Sequence, residues 1–389
     1  MKSSLLNRRV NGYLAAVMLA MGLIAGCGEP EEVRFRLNME NRDRAEIAPE
    51  RQQFMVDALT AMFGTPDDPK DVFPETNLDV KKLKLAAGSA AADPTGARHG
   101  LYRKHCVHCH GITGDGAGPT AGFLNPYPRD YRNGVFKFTS TQSSARPTTA
   151  DLKRTVIEGI PGTAMPSFSL LANDEIDALV EYVRYLAIRG ETETLVYDYV
   201  VTQEEDLPLT REFLVEETLA PVVANWDGAE GAVISPESRP PIETPQQLAA
   251  SVAIGRKLFQ DQKTKCADCH GPTGMGDGPQ VNFDLWNKEK EKKSEADIAR
   301  LFALPIQQNK PRNLRLGIYR GGRRPIDIFR RMYAGIKGTP MPSQGPNAGT
   351  AGALTEEQIW HLVDYVRTLP YEESSNPFPK QTVVHKERN

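Results

Sequence analysis

The sequence has few cysteines, few aromatic residues and, after residue 26, no long apolar run. Five of its 389 residues are cysteines, and 7% are aromatic. A membrane-spanning helix needs about 20 consecutive apolar residues, so we expect no transmembrane helix in the body of the chain. The formal net charge of −3 lacks the basic excess of nucleic-acid-binding proteins, so nucleic acid is not an expected partner.

The start of the chain has the pattern of an export signal. Lys2, Arg8 and Arg9 precede an apolar run, Tyr13 to Ile24, that is too short to span a bilayer well. Small residues then lead to Cys27, which resembles a bacterial lipobox, where the cysteine becomes the lipid-modified first residue. The alternative is an ordinary signal peptide with an incidental cysteine. Removal of the segment takes away only positive charges, so the mature chain is more acidic.

The other four cysteines fall in two identical frames. These frames are Cys106-Val107-His108-Cys109-His110 and Cys266-Ala267-Asp268-Cys269-His270. C-x-x-C-H is the signature of c-type haem attachment, because the two thiols can form thioethers with one haem while the adjacent imidazole binds its iron. A zinc knuckle, a thioredoxin-like redox pair and structural disulfides are the alternatives. Two copies after an export signal favour two covalently bound haem c groups, with His110 and His270 as iron ligands.

The similarity between the two frames continues beyond the cysteines. The segments Gly111 to Pro119 and Gly271 to Pro279 carry glycine, threonine and proline in register. Such self-similarity indicates an internal duplication. Glycines at these places allow the backbone to turn tightly and to lie close to a flat cofactor.

A pair of arginines follows in register, Arg129 and Arg312. Their planar guanidinium groups suit the propionate carboxylates of haem, so both are candidate propionate contacts. A surface arginine in a turn is the equal alternative.

A pair of methionines comes next, each in a Gly-Thr-x-Met-Pro-Ser sequence. Met165 and Met341 hold the same place in the two copies, and thioether sulfur opposite imidazole is a standard axial pair for cytochrome c iron. Core packing is the alternative for any methionine. Met332 or His361 could replace Met341 if the second loop is placed differently.

Each copy ends in a helix with one apolar face, predicted by apolar residues at i, i+3, i+4, i+7 and i+10. The stripes are Ile176, Leu179, Val180, Val183 and Leu186, and Ile359, Leu362, Val363, Val366 and Leu369. Shorter helices, Gly96 to Lys104 and Ser251 to Gln260, are predicted before the haem motifs.

This order of helix, haem motif, methionine loop and terminal helix resembles the class I cytochrome c fold. The resemblance implies a mainly α protein of two tandem class I cytochrome c domains joined by an extended linker. The expected organisation is a lipoprotein signal peptide, 1–26; an N-terminal extension or tether, 27–95; cytochrome c domain 1, 96–190; a linker, 191–249; cytochrome c domain 2, 250–370; and a C-terminal tail, 371–389.

Three segments lie outside the resemblance or interrupt it. An amphipathic helix is predicted around Ile47 to Phe63, which either packs against a haem domain or spaces it from the membrane. Residues 191–247, rich in proline and β-branched residues, predict an extended connector with short strands. The second copy carries an insertion with a charge run, 287–293, which is typical of a solvated helical face.

The function that the resemblance implies is transfer of single electrons in a respiratory chain, by a carrier or by the cytochrome subunit of a redox complex. We expect redox proteins as partners, a lipid-anchored location on the periplasmic side of a bacterial membrane, no small-molecule substrate and no catalytic residues. The rival is a dihaem peroxidase, in which one iron opens a coordination position. A haem-bearing sensor lacks any supporting signalling segment.

Overall fold

The protein is mainly helical, as the sequence predicts. The computed structural model describes residues 33–38, 47–70, 76–92, 98–202, 209–237, 239, 241–280, 282–283, 304–346 and 354–372. Within these ranges no helix combines the length and apolar character needed to cross a bilayer. The predicted signal peptide, Cys27, the charge run 287–293 and most of the C-terminal tail lie outside the described residues.

The first half contains the helices α1 to α7 and one small sheet. The helices are α1 Pro49–Phe63, α2 Val80–Ala86, α3 Leu101–His105, α4 Val107–His110, α5 Thr149–Glu158, α6 Asn173–Thr202 and α7 Ala220–Asp227. A 3-10 turn spans Ala121–Phe123, a π-helical segment Phe213–Leu219 and a further 3-10 turn Glu230–Ala232. The antiparallel strands are β1 Ala91–Ala92 and β2 Arg98–His99.

The second half repeats this plan, with four α-helices among its described residues. They are α8 Pro245–Gln260, α9 Cys266–His270, α10 Pro325–Ala334 and α11 Glu356–Thr368. The antiparallel strands β3 Asn282–Phe283 and β4 Gln308–Asn309 pair, and 3-10 turns span Leu314–Leu316 and Leu369–Tyr371. Both halves belong to the same unit of the chain, Phe35–Asn389.

The predicted helix near residue 47 packs against the first haem-motif domain. Met55 and Leu59 of α1 are buried in the same core as the apolar face of α6. The hydroxyl of Tyr185 donates to the carbonyl of Phe63 at 2.6 Å, and that of Tyr182 donates to Pro66 at 3.2 Å. This segment is therefore a layer of the first core and not only a spacer.

The prediction of an extended connector is wrong for most of the described residues between the two copies. Helix α6 continues to Thr202, and Val196, Tyr197 and Val200 extend its buried face by helical spacing. The β-branched residues suggested strands, but burial of that face against neighbouring helices decides the local structure. Glu191 is buried as well and accepts a 2.9 Å hydrogen bond from the indole of Trp226 on α7.

The second core forms where α8 crosses α11, with α10 packed alongside. Phe259 of α8 meets Tyr365 of α11 edge to face, with ring centroids 5.3 Å apart. The helices approach closely at Gly255, where an added Cβ would lie 2.0 Å from the carbonyl oxygen of His361. Thr355 and Gln358 form the predicted capping box at the start of α11.

Direct contacts join the two domains. The guanidinium of Arg154 on α5 pairs with Asp327 on α10 at 2.6 Å. The amide of Gln307 donates to the carbonyl of Leu124 at 2.7 Å. Gly321 lies against Phe138, whose Cβ would be 2.5 Å from a Cβ added to the glycine. The two haem-motif domains therefore face each other across a packed boundary.

Candidate functional site

Both C-x-x-C-H motifs are held by the same local structure. Each histidine ends a short helix, and a glycine in the left-handed region follows it: φ is 71° at Gly111 and 73° at Gly271. The carbonyls of His110 and His270 then accept hydrogen bonds from glycine amides at 3.0 and 2.8 Å. Only glycine adopts this conformation without strain, which explains the matching glycines after the two motifs.

The two histidine rings are oriented by backbone carbonyls. Nδ1 of His110 lies 3.0 Å from the carbonyl oxygen of Arg129, and Nδ1 of His270 lies 3.1 Å from that of Arg312. A carbonyl oxygen can only accept, so Nδ1 carries the proton and Nε2 keeps its lone pair. Burial lowers the pKa of His110 to about 4 and also lowers the pKa of His270. Both imidazoles are therefore neutral at pH 7.

The four motif cysteines line one cavity with these histidines. Neither pair forms a disulfide in the structure. Burial raises the pKa of Cys106 to about 12 and also raises the pKa of Cys266. Among the described residues no group of three or more His, Cys, Asp or Glu side chains is placed to hold a metal ion.

The two methionine loops share one hydrogen-bond pattern. Met165 N donates to Thr163 Oγ1 at 3.1 Å, and Met341 N donates to Thr339 Oγ1 at 3.3 Å. Each loop is closed by an isoleucine amide that donates to the methionine carbonyl, at 3.1 and 3.2 Å. Both methionines line the cavity. Their backbone equivalence agrees with the repeat seen in the sequence.

The two alternatives to Met341 differ in position. Met332 lines the cavity. His361 is held between α8 and α11, where its Nδ1 lies 2.7 Å from the hydroxyl of Ser251.

The cavity has a volume of about 470 Å³ and runs between the domains. Most of its lining is apolar. It joins both motifs and both loops, as shown by the presence of Cys106, Cys109, His110, Met165, Cys266, Cys269, His270 and Met341 in its wall.

Cationic side chains interrupt the apolar lining. Arg129 and Arg312, the predicted propionate contacts, are half-buried there, together with Arg320 and Arg331. Within the described part of the chain, buried N–H groups of Arg312, Arg320 and Arg331 have no hydrogen-bond partner. Burial lowers the pKa of both Arg320 and Arg331 to about 10. A flat apolar group that carries carboxylates fits this lining, because it would cover the apolar wall and pair with the unsatisfied guanidinium donors.

Sequence reasoning did not find several residues of the site. Tyr131 stacks on the ring of His110, with centroids 4.5 Å apart and planes at 20°. Arg320 and Arg331 belong to an arginine-rich stretch that could have signalled an anion site. The carbonyls of Arg129 and Arg312 could not be predicted from the sequence, because every residue has a peptide carbonyl.

Of the comparisons with known proteins, the family model agrees with the repeat. The family model described as Cytochrome c matches two segments, residues 99–187 and 252–370. No curated protein matches the chain. Among solved structures the chain is similar to the Kuenenia stuttgartiensis reducing HAO-like protein complex Kustc0457/Kustc0458. The identity is 24%, the TM-score is 0.47, and the match covers 69% of this chain and 93% of that chain.

Proposed function

The chain belongs to the cytochrome c family, and from this premise we propose that it is a dihaem electron carrier tethered to a membrane. The observation that carries the proposal is the pair of equivalent histidine and methionine sets in the wall of one cavity. A histidine and a methionine complete the coordination of a haem iron and leave no open position for substrate. Transfer of single electrons between partner proteins is the function that suits such a centre.

We assign each haem by the motif that precedes it. Cys106 and Cys109 would form the thioethers of the first haem, and His110 and Met165 would bind its iron. The second haem takes the same four positions, Cys266, Cys269, His270 and Met341. The equal backbone geometry of the two loops supports Met341 over Met332.

The residues around each ligand hold it in place and tune it. When bound, haem supplies an iron that cycles between the ferrous and ferric states. The carbonyls of Arg129 and Arg312 fix the tautomer in which Nε2 of the histidine can bind metal. The hydrogen bonds of the two loops hold the backbone of Met165 and Met341, whose sulfur is a soft ligand that favours the reduced iron. The apolar cavity wall excludes water.

We place the protein on the periplasmic side of a bacterial membrane, in contact with redox partner proteins. The support is the lipobox-like sequence before Cys27. Two or more acyl chains anchor a protein stably, whereas one chain binds a membrane only marginally. Cys27→Ser should therefore release a soluble, haem-loaded protein. If this variant stays with the membrane at high salt, a partner subunit and not a lipid holds it.

Haem content tests the proposal first. Mass spectrometry of the intact protein should give two haems per chain, and acid-acetone extraction should leave the colour with the protein. Cys266→Ser with Cys269→Ser should remove one haem only. A wild-type protein with a single haem, or none, contradicts the dihaem assignment.

Ligation is tested by the methionines. Met165→Ala and Met341→Ala should each open a coordination position, produce a high-spin ferric component and lower the potential of one haem. Met332→Leu is the matched control, because Met332 lines the same cavity and should leave both spectra unchanged. Wild-type protein that is already partly high-spin and reduces peroxide rapidly would support the peroxidase instead.

A further inference from the structure

Two arginines of the second domain reach across the boundary to the first methionine loop. Nη2 of Arg320 donates to the carbonyl of Gly162 at 3.3 Å. A Cβ added to Gly162 would lie 2.8 Å from Nη2 of Arg312. Gly162 begins the segment that presents Met165. The two guanidinium groups therefore meet beside the first ligand set, although the backbone of Arg312 supports His270 in the second.

Neither guanidinium is fully satisfied by the described residues. Among them, the buried Nε of Arg312 and the buried Nε of Arg320 find no hydrogen-bond partner. Among the described residues, the hydrogen-bond acceptors of these two side chains are only the peptide carbonyls of Ile318 and Gly162. Burial and the charge of Arg312 lower the pKa of Arg320 to about 10. Two adjacent cations with buried, unpaired donors are costly unless an anion joins them.

The described residues offer these guanidinium groups no free carboxylate in the cavity wall. Asp151 is the single carboxylate among the described residues that line it. Its Oδ2 accepts from the backbone amide and the hydroxyl of Ser140 at 2.8 and 2.9 Å. A carboxylate carried by the group that occupies the cavity would supply the anion that the described residues lack.

We infer that Arg312 and Arg320 form a carboxylate-binding pair for a propionate of the first haem, so that the second domain completes the first domain's cofactor site. This inference rests on the proposed function, which supplies the haem. A planar guanidinium matches a carboxylate with two parallel hydrogen bonds, and two such groups neutralise its charge. Arg320 thus acts as a positioning residue whose charge also favours the reduced state of the first haem.

The test is a redox titration of the full-length, haem-loaded Arg320→Gln variant. The step of the first haem is identified beforehand with Met165→His, which should lower that step alone. Loss of a nearby positive charge should lower the ratio of reduced to oxidised first haem by about tenfold at fixed ambient potential. The second step should not move, and Arg320→Lys should restore part of the loss.

Two further variants keep the test decisive. Arg312→Gln should shift the first step in the same direction. The control is Arg323→Gln, which removes the same charge from an exposed position three residues along and should move neither step. If Arg320→Gln moves only the second step, or neither, the inference is wrong. Haem count and ligation are measured on wild type, so a dihaem protein that fails this test leaves the proposed function intact.

Discussion

The two haem-motif sites share one backbone but differ in what fills the space around the histidine. The amides of Tyr131 and Leu314 make the same 2.7 Å hydrogen bond in their respective copies. In the first copy the Tyr131 ring covers the buried His110. In the second copy a leucine stands there, and His270 is only half-buried. Duplication has preserved the frame of the site and changed its packing.

The two domains also differ in what supports them. The first has α1 and α2 packed on its terminal helix, whereas α8 of the second is mostly exposed. Enclosure and neighbouring charge set the potential of a haem. On the proposed assignment we therefore expect the two haems to titrate in separate steps, and the first domain to depend on the layer formed by α1 and α2.

The largest effect should come from breaking the added layer. Leu83 on α2 is fully buried against α6. Leu83→Ala should destabilise the first domain by about 3 kcal/mol, through lost burial and a cavity. Urea unfolding, followed by the absorbance of each haem, should show the first domain unfolding earlier and the second little changed.

A control for this change lies on the helix of the second domain. Ile254 on α8 is 43% exposed, so Ile254→Ala should cost less than about 0.5 kcal/mol. Equal destabilisation of both domains by Leu83→Ala would mean that they unfold as one unit. The layer of α1 and α2 would then not stabilise the first domain separately from the second.

A smaller effect should follow from loosening the boundary between the domains. Asp327 on α10 is buried and pairs with Arg154 of the first domain. Asp327→Asn should cost about 2 kcal/mol, because Arg154 loses its nearer carboxylate and keeps only that of Asp151, at 3.8 Å. Arg324→Gln removes a 60% exposed partner of the same carboxylate and should cost less than about 0.5 kcal/mol.

The pH dependence of the Asp327→Asn variant follows from the Asp327 carboxyl of the wild type. Burial raises its pKa, but hydrogen bonds and attraction from Arg324 and Arg154 outweigh this and hold the pKa below its ordinary value. The unfolded chain thus binds the proton more readily than the folded chain. The ionised Asp327 carboxyl therefore stabilises the folded protein above about pH 4, and this stabilisation is lost as the pH falls further. The difference in free energy of unfolding between the wild type and Asp327→Asn should shrink in acid. A deficit independent of pH would argue for a packing defect.

A third effect concerns Lys337, which stands where the first loop has Pro161. Its ammonium donates to the carbonyl of Ala145 across the boundary. Burial, with the charge of Arg146, lowers the pKa of Lys337 to about 8. Above that pH the unfolded chain holds more protons, so stability should rise between about pH 8 and 10. In urea titrations the free energy of unfolding of Lys337→Met should rise by about 1 kcal/mol less than that of the wild type over this pH range. Parallel pH profiles of the two proteins would contradict this prediction.

The smallest effect should come from making the first site like the second. Tyr131→Leu removes the ring that stacks on His110 and, at 5.9 Å, on Phe136. The loss should be about 1 kcal/mol or less, with a small fall in the first potential as water gains access. Leu314→Tyr is the reciprocal change. If neither variant reduces the difference between the reduction potentials of the two haems, nearby charge and not packing causes that difference.

The sequence indicates residues of the cavity wall where side-chain identity and spacing carry the signal. The motif residues and the matching methionines line the cavity, and the apolar stripes of α6 and α11 are buried. These features are local or repeated, so the chain itself displays them. Haem attachment and iron ligation by these residues stay predictions. The N-terminal helix was also predicted, but whether it packs or merely spaces was decided only by contacts with Tyr182 and Tyr185.

What could not be predicted depends on contacts between distant residues. Arg320 joins the site because the two domains meet at Gly162, and no local pattern encodes that meeting. The role of Arg129 and Arg312 in holding histidines belongs to their peptide carbonyls, which every residue has. The helical course of residues 191–202 results from burial, against their β-branched composition.

The shared cavity has a consequence for kinetics. On the proposed assignment, exchange between the two irons occurs within one packed unit of the chain, whereas exchange with donor and acceptor needs an encounter in solution. Salt screens charges over about 8 Å at physiological ionic strength and so slows or speeds encounters between charged proteins. The internal step should therefore be independent of protein concentration and nearly insensitive to salt, and ionic strength alone would separate the two processes in a rapid-mixing experiment.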